Sequence, residues 1–267
     1  MYRMIATDVD GTLVDSNNRI TERTLRAIQA AEEAGVTIVI ASARPYGSIE
    51  GMLSRLSLKD PYVIAGSGAS VWQAAKNEER IRLTLTAQQV RECARFASRY
   101  GYDCLAVRHD GSFYQSPGSE SAEFYRGIFK TPSYPVDYEQ EDCTECCKIM
   151  LFTAVDPEEM ALCLERLSRE MDHYSYAKTW QNIVELYPAG VCKENAMAQI
   201  AKMLSIPLSE VIAIGDDRVD LGMIQMAGLG VAMNNGDEDL KAAADFVTFS
   251  NDEDGVAHVI ETFILNA

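Results

Sequence analysis

The chain has 267 residues, and its 24 Lys and Arg against 40 Asp and Glu leave a formal net charge of -16. A surface of that sign repels a nucleic-acid backbone, and 47% hydrophobic with 24% charged residues is ordinary globular usage, so a nucleic-acid partner, a disordered chain and a fibrous repeat are set aside. No run approaches the ~18 apolar residues of a membrane span, and Asp8 interrupts the N-terminal stretch too early for a secretory signal. The seven cysteines are scattered along a chain able to bury its own core, so they read as reduced thiols and the expected location is the cytoplasm.

In chain order, the first third alternates apolar β-branched runs with helical patterns: MIAT, ITERTLRAIQAAEEAG, VTIVIA, PYGSIEGMLSRL and YVIA. This βαβαβ order predicts a parallel sheet. The first helix places Leu25, Ile28 and Ala31 on one face and stops at Gly35. From about Arg82 to Leu186 the pattern changes to helices at TAQQVRECARFASRYG and DPEEMALCLERLSREM, with strands at YDCLAVRH, CKIMLFT and IVELYP. Asp156 followed by Glu159 predicts a capping box at the start of the second of these helices. The last third returns to strand–helix alternation with VIAIG, GMIQMAG, GVAM, DEDLKAAA and DFVTF, then an amphipathic GVAHVIETFI. The expected fold is α/β, a Rossmann-like parallel sheet core built from residues 1–81 and 187–267, with an inserted α+β lobe over 82–186.

Four predicted strand or helix ends carry chemistry. In Asp8-Val9-Asp10-Gly11-Thr12-Leu13 the turn allowed by Gly11 lets two carboxylates face one site, one to hold a metal and attack, the other to handle a proton. An acidic turn after a strand is the bland alternative. A calcium loop is excluded, because Arg19 stands where the closing glutamate is required. Ser42, followed by Ala43 and Arg44, offers a hydroxyl and a backbone N–H to a phosphoryl oxygen, although helix capping before Pro45 explains a serine equally well. Lys193 begins a helical run, an unfavourable place for a cation unless an anion lies nearby; a solvated surface lysine is the other reading. In Gly215-Asp216-Asp217-Arg218-Val219-Asp220, if a helix begins at this turn, Asp216 and Asp220 are spaced i, i+4 and can face the same site, with Asp217 pointing elsewhere; an acidic helix N-terminus is the bland reading.

Together DVDGTL, ASAR, VCKENA and GDDRVD resemble, in order and spacing, the four motifs of haloacid dehalogenase (HAD) superfamily phosphatases, and AGLGVAMNNG and SNDEDGVA are similar to the tail of the Cof-type branch. The resemblance implies an HAD-like core with a cap domain between the second and third motifs. It implies a phosphoric monoester hydrolase for a small phosphorylated metabolite, a sugar phosphate or a cofactor phosphate. It implies Asp8 as nucleophile, Asp10 as acid/base, Mg²⁺ held by Asp8, the Asp10 carbonyl and Asp216 with Asp220 in or near the shell, and phosphate held by Ser42, Ala43 and Lys193. Charge requires such partners in any case, since a carboxylate meeting a phosphate dianion faces roughly 4 kcal/mol of repulsion per charge pair at about 4 Å.

The chain departs from the pattern at Val219, where the motif has asparagine, and at Glu194, Ala43 and Ser67. These departures leave a non-catalytic phosphate-ligand or partner-binding protein as the rival, with a phosphomutase as the nearest relative reading. Cys143, Cys146 and Cys147 lack a second pair at zinc spacing, so buried thiols are expected. His109, His173 and His258 lie away from the motifs, and neither a nucleotide P-loop nor a serine-hydrolase elbow is present. Cap residues around Arg108, Tyr114 and Tyr125 are the expected carriers of substrate choice.

Overall fold

The computed structural model describes residues 1–266, the side chain of residue 129 excepted. The chain divides into two compact units, one made of Met1–Ala43, Ile49–Ile81 and Cys192–Ala267, the other of Arg44–Ser48 and Arg82–Val191. The chain starts with β1 (Met4–Asp8), α1 (Glu22–Glu33), β2 (Thr37–Ala41), α2 (Tyr46–Leu56), β3 (Tyr62–Ala65), β4 (Ser70–Gln73) and β5 (Glu78–Arg82). The inserted unit follows with α3 (Ala87–Tyr100), β6 (Asp103–Arg108), β7 (Phe113–Gln115), α4 (Glu120–Phe129), β8 (Ser133–Pro135), β9 (Cys146–Phe152), α5 (Pro157–Glu170), β10 (Ser175–Trp180) and β11 (Ile183–Tyr187). The return brings α6 (Lys193–Met203), β12 (Val211–Gly215), α7 (Leu221–Met226), β13 (Leu229–Ala232), α8 (Glu238–Ala243), β14 (Phe246–Val247) and α9 (Gly255–Ile260).

Among the described residues the first unit carries an eight-stranded sheet in the order β14-β13-β12-β1-β2-β3-β4-β5. From β14 to β3 neighbouring strands run parallel, while β4 turns back antiparallel on β3. The expected all-parallel sheet is therefore mixed at one edge. The short Gly66–Gly68 turn needs no crossover helix, and a tight return can only pair strands antiparallel. Every residue of β1 is buried, as a central strand covered on both faces must be. Met4 and Ala6 pack with α6 residues Ala196, Met197 and Ile200, and α1 packs against α9.

The inserted unit has a six-stranded sheet in the order β10-β11-β9-β6-β7-β8, antiparallel except where β7 and β8 run parallel. Val90, Cys93 and Phe96 of α3 and Met160, Cys163 and Leu167 of α5 bury against Cys104, Ile149, Leu151, Val184 and Leu186 of the sheet. Helix α3 begins in a reciprocal capping box between Thr86 and Gln89. The box expected at Asp156 does not close. Asp156 accepts the Glu158 N–H at 2.8 Å, but Glu159 accepts instead from Tyr102 Oη at 2.8 Å and from Arg166 at 2.9 Å. Tertiary partners with better hydrogen bonds draw Glu159 away from its own helix start. Strand β11 reaches Tyr187, which pairs with Ser175, so the return to the first unit comes at Cys192. Cys143, Cys146 and Cys147 are free and buried.

Candidate active site

Strands β12, β1 and β2 are neighbours, and their carboxyl ends carry Asp216, Asp8 and Ser42 side by side. The chain leaves β1 toward β2 on one side and β12 toward β13 on the other. The crevice of an open α/β sheet lies at such a reversal.

Asp8 is the last residue of β1, in register with Ala41. The turn Val9–Leu13 follows, with Gly11 at φ 80° pressed on Asp216, where an added Cβ would stand 2.3 Å from Oδ2. Only glycine fits there. Thr12 Oγ1 donates to Asp216 Oδ1 at 2.8 Å, joining the turn to the end of β12. Asp10 is exposed on this turn.

Lys193 is the first residue of α6 and is 2% exposed. Its Nζ lies 2.5 Å from Asp8 Oδ1 and 2.7 Å from Asp220 Oδ1. The solvated-lysine reading is thereby excluded, and two carboxylates supply the anions that a cation at a helix N-terminus calls for. Asp220, 0% exposed, also accepts the backbone N–H groups of Asp216 and Asp217 through Oδ2, each at 3.2 Å. Asp216 and Asp220 face one site as expected, but not along a shared helix. A 3-10 turn at Arg218–Asp220 precedes α7, and Asp220 folds back over the end of β12, close enough that a Cβ on Gly215 would sit 2.4 Å from its own. Asp217 is exposed, as expected.

Ser42 is buried; its N–H donates to the Ile64 carbonyl at 2.8 Å, and its carbonyl accepts the Ser67 N–H at 3.0 Å. Ser67 stands at φ 54°, a left-handed position where asparagine is more at ease than serine. Ala43 is half-buried beside it, and Val219 is half-buried in the 3-10 turn. The side chain of Glu194 lies over Gly222, leaving no room for a Cβ there. The structure thus gathers Asp8, Lys193, Asp216 and Asp220 into one direct cluster, with Asp10 on the adjoining turn and Ser42 and Ala43 at the next strand end. Thr12, a further member of the cluster, lay in plain view inside the first motif.

Oxygens of Asp8, Asp216 and Asp220 lie within 4.8 Å of one another. Three carboxylates face one ammonium, so the cluster carries an excess of negative charge. Burial, partly offset by Lys193 and reinforced by Asp220 and Asp216, pushes the Asp8 carboxyl well above the usual carboxylate range. Burial likewise raises Asp216 to about 6, against the hydrogen bond from Thr12. Burial works against the Lys193 charge, but Asp220 and Asp8 outweigh it and raise its pKa. An all-oxygen donor set with unbalanced charge fits a hard divalent cation.

The family description haloacid dehalogenase-like hydrolase matches residues 5–260. The Bacillus subtilis protein named "Putative phosphatase YxeH" is 32% identical over 285 residues, covering 99% of each chain. A second Bacillus subtilis protein, named 5-amino-6-(5-phospho-D-ribitylamino)uracil phosphatase YcsE, is 28% identical over 265 residues, covering 98% of this chain and 96% of that one. Among solved structures, a sugar phosphatase of HAD subclass IIB superimposes with a TM-score of 0.81 at 26% identity, covering 98% of both chains.

The chain belongs to the haloacid dehalogenase-like hydrolase family. Within it, the protein is a phosphoric monoester hydrolase of the Cof-type branch. Among the described residues no helix is long and apolar enough to cross a membrane.

Proposed function

We propose that this enzyme is a Mg²⁺-dependent phosphatase of a small phosphorylated metabolite, a sugar phosphate or a cofactor phosphate, working through an aspartyl-phosphate on Asp8. The observation that supports it most is the buried contact of Lys193 with Asp8 and Asp220, beside a third carboxylate that only an added cation would balance. Asp8, Asp216 and the Asp10 carbonyl would hold the metal, with Asp220 at its margin. Bound there, Mg²⁺ supplies positive charge for the phosphoryl oxygens and for the attacking carboxylate.

The residues of the chain then divide the work. An Asp8 oxygen attacks phosphorus while the bond from phosphorus to the leaving oxygen breaks, and protonated Asp10 gives its proton to that oxygen. Water next attacks the phosphoryl group, Asp10 takes a proton from it, and the Asp8–phosphorus bond breaks to release phosphate. Lys193, the Ser42 hydroxyl and the Ala43 N–H hold the phosphoryl oxygens, and a charge-assisted bond of this kind contributes about 1.5–3 kcal/mol. The names of the relatives, one acting on a phosphorylated ribitylaminouracil and one on sugars, favour a polyol-like leaving group.

The test is Mg²⁺-dependent hydrolysis of p-nitrophenyl phosphate by the wild type and by Asp8→Asn. Turnover in the wild type that vanishes in Asp8→Asn and on chelation is expected. Equal turnover in both proteins would exclude Asp8 as the nucleophile.

A further inference from the structure

Two asparagines outside the acidic cluster grip the turn that carries Asp10. Asp8 is fixed by the β1 ladder and by Lys193, whereas Asp10 and Gly11 lie beyond the ladder. Thr12 ties the turn to Asp216 at 2.8 Å, and the Gly11 carbonyl, one residue from Asp10, takes a second hold from outside the turn. Asn235, in the turn after β13, donates through Nδ2 to the Gly11 carbonyl at 2.8 Å. Its Oδ1 accepts the Asn251 N–H at 3.0 Å, and Asn251 Nδ2 donates to the Val14 carbonyl at 2.8 Å. A carbonyl at one end of the Asn235 amide and an N–H at the other permit a single orientation of that amide.

We propose that Asn235, set in place by Asn251, is a positioning residue for phosphoryl transfer: its bond to the Gly11 carbonyl keeps Asp10 aimed while Asp8 attacks. The inference rests on the roles given to Asp8 and Asp10 above. Asn235 is exposed, so its bond adds little to stability, and loss of aim is the larger effect of removing it. Small displacements of a reacting group cost rate steeply.

The experiment measures kcat and KM for p-nitrophenyl phosphate with Mg²⁺, and thermal unfolding, for wild type, Asn235→Ala, Asn235→Asp and Asn251→Ala. Asn235→Ala is expected to lower kcat by about tenfold or more with KM changed by less than about twofold. Asn235→Asp, which turns an acceptor toward the Gly11 carbonyl, should be no better. Asn251→Ala keeps the N–H that Asn235 accepts and removes only the bond to the Val14 carbonyl, so it should cost less than Asn235→Ala. Wild-type kcat in Asn235→Ala, or a rate loss that only follows a loss of Tm, would overturn the inference while leaving the function intact. A wild type without Mg²⁺-dependent turnover would instead strike the functional reading, and this inference with it.

Discussion

Lys193→Met keeps the apolar stem of the side chain and removes a charge that is 2% exposed. At 2.5 Å and 2.7 Å from Asp8 and Asp220, each attraction is gross about 6 kcal/mol at an effective dielectric of about 20. The cost of stripping water from the lysine opposes these attractions. What is lost on breaking such a buried pair is therefore about 3–5 kcal/mol. At about 2–4 °C per kcal/mol for a chain of this size, the metal-free variant should melt about 6–20 °C below the wild type. Thermal unfolding by circular dichroism with chelator present, near neutral pH, measures this. The deficit should shrink toward pH ~5, where the carboxylates left facing one another take up protons. A variant that melts within about 2 °C of the wild type near neutrality would refute the idea that this lysine holds the carboxylates together.

The wild type itself should show a metal-linked pH dependence. Asp8 and Asp216 have folded pKa values raised above the ordinary carboxylate value, so their contribution is present at low pH and is lost as pH rises through the raised values, about 6 for Asp216. Without metal the protein should therefore melt lower at pH ~7.5 than at pH ~5, and Mg²⁺ at about 100 times its Kd should restore about 2.7 kcal/mol at the higher pH. A flat metal-free profile would contradict the charge imbalance described above. Gly11→Ala should lose about 1–3 kcal/mol and most of its kcat, because the φ of 80° and the 2.3 Å approach to Asp216 both exclude a methyl group. Gly35→Ala, at φ 88° with open space around it, is the comparison and should lose the backbone term alone, leaving turnover unchanged.

Much of the candidate site was legible because its parts sit where sequence patterns are sharpest, at the ends of apolar β-branched runs. Asp8, Ser42 and Asp216 follow MIAT, VTIVIA and VIAIG, and adjacent parallel strands bring such ends together. Lys193 was legible as an anomaly, a cation at a helix N-terminus, whose partners could only be known from the fold. The segments that carry Asn235 and Asn251, AGLGVAMNNG and SNDEDGVA, stood out by resemblance, but their clamp was not legible: its bonds run to the backbone carbonyls of Gly11 and Val14, and a carbonyl leaves no trace in residue type. Helix α4 and the short strands β7 and β8 escaped notice because they are brief and follow turns without strong periodicity. Glu159 carried a correct local signal that distant partners, Tyr102 and Arg166, overruled.

The connectivity of the first unit also shapes how the chain can fold. Strand β1 lies between β12 and β2, and its ladder to β12 joins Met4 to Val211. During synthesis at roughly 5–20 residues per second, the N-terminal strand waits roughly 10–40 seconds for that neighbour, with an unpaired apolar edge exposed meanwhile. Most of the inserted unit, Arg82–Val191, is by contrast one continuous stretch that leaves the ribosome before β12 and can form its own sheet first. Assembly of the acidic cluster is then among the last events in the life of the nascent chain, since Asp8 meets Lys193 and Asp220 only after some two hundred intervening residues have been made.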